Sequence, residues 1–178
     1  MQNPEPQTRR VHINCGELDM RDASEESVAA IDHVNAGNVL VTPRTRPLMS
    51  RFSLNMGSLI EIPDGARLMR KIEVLGREAF VAGPQILANL GTLVIAPEVT
   101  IQDLESGLAE IVNRGRLLYP EHLGAIASKV SHNSGHLQPY PSGARLIPGD
   151  LSLDEAVLGS LADATILVVA GDLNVPQP

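Results

Sequence analysis

An Asn-x-Gly triplet recurs along the 178-residue chain, as Asn14-Cys15-Gly16, Asn35-Ala36-Gly37, Asn55-Met56-Gly57, Asn89-Leu90-Gly91, Asn113-Arg114-Gly115 and Asn133-Ser134-Gly135. Between the third and fourth, Val74-Leu75-Gly76 fills the vacant slot with the glycine kept and the asparagine lost. Successive first positions are then 21, 20, 19, 15, 24 and 20 residues apart. Self-similarity at a near-fixed period is the signature of a repeat architecture, in which each unit buries its apolar face only against its neighbours.

After most triplets comes a short aliphatic run closed by proline, at 39–43, 59–63, 93–97 and 117–120, and a last run spans 166–171. These read as strands whose ladder the proline ends. Parallel strands are expected near 39–42, 59–62, 79–81, 93–96, 117–119 and 166–169. The segments between read as short helices. Ser24 caps one with Val28, Ile31 and Val34 at helical spacing, and Thr100 caps another with Ile101, Leu104, Leu108, Ile111 and Val112. Pro120 opens a third over Leu123, Ile126, Ala127 and Val130, and Ser152 caps a fourth over Leu153, Ala156, Val157 and Leu161. Each triplet then falls where a helix ends, with its glycine as a left-handed cap.

The unit is about ten residues of helix, a glycine stop, about five of strand and a proline turn, too short for an ordinary strand–helix–strand unit of roughly 30 residues. It resembles a leucine-rich-repeat-like α/β solenoid, whose period is about 20–29 residues. The resemblance is one of architecture, and it implies a fold and no particular activity. The expected fold class is α/β: a right-handed solenoid of about seven irregular coils of ~20 residues, parallel sheet on one side and short helices on the other. A flexible segment 1–10, a single domain 11–172 and a flexible tail 173–178 complete the organisation. Phe52, Phe80, Tyr119 and Tyr140 are the only aromatic residues, so the core must be aliphatic.

Aligning the strands on the glycine gives two columns. Two positions after it stand Leu18, Val39, Leu59, Glu78, Leu93, Leu117 and Leu137, expected under the helices. Three after it stand Asp19, Leu40, Ile60, Ala79, Val94, Leu118 and Gln138, expected on the opposite face. That face carries an apolar stripe, and Leu40, Ile60, Val94 and Leu118 are the candidate interface.

The asparagines Asn14, Asn35, Asn55, Asn89, Asn113 and Asn133 read as a structural ladder satisfying backbone groups at the turns. His132 and His136 flank a turn and lack further ligands, so no metal is expected there. Cys15 reads as a small buried hydrophobe, with His12 on the other face of its strand. No phosphate loop, dinucleotide fingerprint or nucleophile elbow occurs, and no cofactor is expected. One cysteine excludes an internal disulfide. No apolar stretch reaches membrane-spanning length and the N-terminus is unlike a signal peptide, so a cytoplasmic protein without membrane contact is expected.

The net charge of −7 is uneven: residues 35–77 carry +4, between segments of −4 (1–34) and −7 (78–178). Scarce aromatics and an acidic balance disfavour nucleic acid as partner. The function expected is a non-enzymatic interaction module, an adaptor, regulator or inhibitor, binding a protein partner or itself through the sheet face or rim loops. The alternative is a small-ligand binder or enzyme using the turn edge around His132, His136 or Cys15.

Overall fold

The computed structural model describes residues 10–176. The expected N-terminal segment 1–10, save Arg10, and the last two residues of the tail lie outside the described residues. The chain is α/β, with parallel sheets and few, short helices. Its contacts group into two compact units that divide after Gly65. A Pro63-Asp64-Gly65 turn marks the boundary, and the φ of +76° at Gly65 lies in the left-handed region that glycine enters without cost.

The first unit is one parallel sheet of three long strands, β1 (Val11–Asp19), β2 (Ile31–Val41) and β3 (Ser53–Glu61), in the order β1-β2-β3. Between β1 and β2 lies α1 (Glu25–Val28), whose N-cap Ser24 exchanges hydrogen bonds with Ser27. The helix is one turn long. Ile31 and Val34, expected on its stripe, belong to β2, because β-branched residues lose little in a strand and gain the pairing with β1.

The second unit alternates between two sheets. Strands β4 (Arg67–Met69), β6 (Gln85–Asn89), β8 (Leu108–Asn113) and β10 (Val130–Asn133) form one, in that spatial order. Strands β5 (Ile72–Leu75), β7 (Thr92–Ile95), β9 (Arg116–Pro120) and β11 (His136–Tyr140) form the other. All of these pairings are parallel. Two small parallel pairs follow, β12 (Arg145–Ile147) with β14 (Leu167–Val169) and β13 (Leu151–Ser152) with β15 (Leu173–Asn174). Part of the expected tail is thus a paired strand.

Helices contribute less than the spacing suggests. α2 (Ile101–Gly107) starts at Thr100 in a capping box with Asp103, but Leu108, Ile111 and Val112 continue it as strand β8. Residues Glu121–Lys129 form 3₁₀ turns, broken at Leu123, in which Leu123 and Ile126 are buried at the three-residue spacing of that helix. α3 (Glu155–Ser160) is capped by Asp154 and not by Ser152. The expected strand at 79–81 is a 3₁₀ turn over Arg77–Phe80 and its C-cap, and Val74-Leu75-Gly76 is the end of β5, not a corner.

The two columns hold where the strands exist. Leu18, Val39 and Leu59 are in register, as are Leu93, Leu117 and Leu137, and all six pack on or in the cores of their units. The second column is also in register, but it is not an open face. Leu40, Val94 and Leu118 are fully buried and Ile60 nearly so. In the second unit the cover is the C-terminal segment: Tyr140, Ala144, Leu146, Val168 and Ala170 cluster with Val94 and Leu118. Tyr140 fixes that cover by donating its hydroxyl to the carbonyl of Ile95 at 2.6 Å. Burial pushes the phenol's pKa well above its usual range. The four residues expected as an interface are therefore buried, and Val94 and Leu118 are core because covering them with residues 140–170 removes their apolar area from water.

Candidate interaction edge

None of the Asn-x-Gly triplets ends a helix. In the second unit they are corners between paired strands: Asn89 ends β6 before β7, Asn113 ends β8 before β9, and Asn133 ends β10 before β11. Their side chains form a file. Asn89 Nδ2 donates to Asn113 Oδ1 at 2.7 Å and Asn113 Nδ2 to Asn133 Oδ1 at 2.9 Å. Asn89 and Asn113 also donate to the carbonyls of Arg116 and His136, one strand further on. Both asparagines have no exposed surface.

In the first unit the same triplet runs inside a continuous strand, and its phase is reversed. There Cys15 and Ala36 pack with the core, while Asn14 and Asn35 face outward and are joined by a 2.8 Å hydrogen bond. Asn55 lies opposite Asn35 in register. The glycines play one part in both units. None of the triplet glycines has a positive φ; the constraint is contact. A Cβ on Gly37 would stand 2.6 Å from the Gly16 carbonyl oxygen, and one on Gly57 2.7 Å from that of Gly37. Gly115 meets Gly91, and Gly135 meets Gly115, in the same way. Only glycine lets each strand approach the backbone before it. Gly16, at the start of the series, has nothing within 4 Å among the described residues.

Gly16 lies on β1, which has a single strand neighbour among the described residues, β2. The outward row beside it is polar. Asp32 Oδ2 lies 3.3 Å from His12 Nε2, and its Oδ1 accepts from Arg10 at 3.3 Å. The rings of His12 and His33 are 6.0 Å apart, and His33 Nε2 lies 3.1 Å from Asn35 Oδ1. At the end of β1 the core opens into a hollow of about 300 Å3 lined by Leu18, Met20, Ala23, Val28, Ile31 and Phe52, with Asp19, Asp22 and Ser27 at its side. Asp19 holds Arg21 through paired hydrogen bonds at 2.9 and 2.8 Å, which raises the guanidinium pKa above its ordinary value. An edge strand beside an apolar hollow offers both backbone partners and hydrophobic contact to an added strand.

The other candidates are dispersed. His132 and His136 lie on different strands, β10 and β11, and both are exposed. Cys15 is half-buried against the first unit's core. Among the described residues no three His, Cys, Asp or Glu side chains gather as a metal site. No helix among them is long and apolar enough to cross a membrane. The close contacts of Gly37, Gly57, Gly115 and Gly135 escaped the sequence reading, which took each triplet glycine as a left-handed helix cap; the constant third position was the available signal. No protein-family model, no curated protein and no solved structure matches this chain.

Proposed function

We propose that this chain is a non-enzymatic interaction protein, built as a short parallel-strand solenoid in each unit, that binds a protein partner or its own copy along its edge. The repeat register supports the solenoid: in the first unit β2 and β3 add in parallel to β1, and from β4 and β5 to β10 and β11 each strand adds in parallel to the one two before it, with Gly37, Gly57, Gly115 and Gly135 each over the carbonyl of the preceding triplet's glycine. Crossovers between parallel strands of this kind are right-handed. The observation that carries the function is β1, nine residues of parallel edge strand with an apolar hollow at its end. Long edges of this kind invite strand addition, and natural proteins otherwise cover or shorten them.

A photo-crosslinking side chain placed at Asn14, on the outward row of β1, tests the reading in the native cell. The same label at exposed Ser128 serves as control. An adduct from position 14 with any protein, absent from position 128, is the expected result. Absence of any adduct from position 14 would overturn the reading.

A further inference from the structure

We infer that residues 144–176 are a detachable cover: they leave the second unit as one cooperative piece while β4–β11 stay folded, and Val94 and Leu118 reach solvent in that open state. The device lies wholly within the second unit and does not depend on what binds β1.

The hydrogen bonds of the segment close on themselves. Strand β12 pairs only with β14, and β13 only with β15. The bonds around those pairs are internal too: Arg145 N–H donates to Ile166, Leu151 to Asp172, Leu153 to Asn174 and Ala170 to Ile147. Among the described residues no hydrogen bond or ion pair joins the segment to β4–β11. Strands β6 to β9, in contrast, are each paired on both sides.

Apolar contact alone therefore holds the cover, and there is little of it. Ala144 and Ala170 are its only buried residues among those described, with Leu146 and Val168 partly buried beside them. Helix α3 buries no residue, and Leu158, Ile166, Leu173 and Val175 are exposed. A piece that removes so little area from water stands at the low end of local opening free energies. Ala164 adds strain, being the one described non-glycine residue in the left-handed region, with φ of +61°. The exposed Pro141-Ser142-Gly143 turn, with φ of +85° at Gly143, is a pivot on which the cover swings without breaking a strand pair.

Opening completes an apolar row. Val74, Val94 and Leu118 stand in register on β5, β7 and β9, and Val74 is already exposed. Anything that binds this row competes with the cover, and its apparent affinity falls with the fraction of molecules that are open.

Amide hydrogen exchange of the full-length protein at low urea concentrations tests the opening. Amides of β12–β15 should exchange in concert, about 100-fold or more faster than those of β6–β9, with a urea dependence well below that of global unfolding. Val94→Cys and Leu87→Cys then probe the two faces of the unit, since Leu87 belongs to the inner core. A thiol reagent, with peptide masses separating Cys15, should reach position 94 through the cover's opening and position 87 only on global unfolding. Ala170→Asp sets a carboxylate in the contact and should speed labelling at position 94 by roughly tenfold or more, with position 87 and the protection of β6–β9 unchanged. Exchange of β12–β15 residue by residue or only at the global rate, labelling of positions 94 and 87 in step, or loss of β6–β9 protection in Ala170→Asp would each overturn the inference.

Discussion

Asn89 donates its side-chain amide to Asn113 Oδ1 at 2.7 Å with both residues sealed from solvent, whereas the equivalent pair Asn35–Asn14 is made on the surface. One motif therefore works in two phases, as a file buried at Asn89 and Asn113 in the second unit and as an outer row in the first. The difference lies at the bend. At the corners of the second unit Asn89 and Asn113 turn inward; in β1 and β2, where the strand runs through, Cys15 and Ala36 between Asn and Gly do.

That contrast predicts unequal costs for the same substitution. Asn113→Ala leaves Asn89 without its closest acceptor and should cost about 2–3 kcal/mol in urea unfolding, since a buried orphaned polar group costs roughly 1–3 kcal/mol. Asn35→Ala, at the surface, should cost less than about 1 kcal/mol. Combining Asn89→Ala with Asn113→Ala should cost less than the two singles together, because the second change removes a partner already lost. Equal costs for Asn113→Ala and Asn35→Ala would contradict the two phases.

Gly37→Ala should destabilise by about 1–3 kcal/mol, because the new Cβ meets the Gly16 carbonyl and the strands must part. The measurement is the unfolding midpoint, with backbone amide exchange across β1 and β2 showing where protection is lost. An unchanged midpoint would mean that the glycine series does not set strand spacing.

The covered stripe gives a third expectation. Leu118→Ala should cost about 2–5 kcal/mol, the range for emptying a fully buried leucine site. Tyr140→Phe keeps the ring but removes its hydrogen bond to Ile95, at about 1 kcal/mol. Limited proteolysis within 141–170 should speed up in both variants, since both loosen the segment lying over Val94 and Leu118.

The acid limb of stability depends in part on Asp103. The hydroxyl and backbone N–H of Thr100, and then Arg77, hold its carboxyl below the ordinary value. With the folded pKa below the unfolded one of about 3.9, this stability is present above the unfolded value and lost as pH falls through the folded one. Asp103→Asn should flatten the fall in melting temperature between pH ~5 and ~2. An unaltered acid profile in the variant would contradict that assignment.

The repeat, the parallel pairing and the alignment of Leu18 with Val39 or Leu93 with Leu117 were legible in the residues, because triplet spacing fixes register once neighbouring strands pair. The caps at Ser24 and Thr100 were legible too, as local hydrogen-bonding chemistry. Helix lengths were not. Val28, Ile31 and Val34 fit a helical stripe and a turn leading into a strand equally well, and only the chance to pair with β1 decided between them. The columns told which residues share a face, but whether Val94 and Leu118 look onto solvent depended on where residues 140–170 return. That is a long-range packing choice, made by the apolar area it removes from water, and no local pattern records it. The sequence alone determined the spacing of the triplets and the glycine in each; the tertiary structure decided which side of each asparagine faces inward and that β1 is an edge among the described residues, because both depend on which backbone lies alongside.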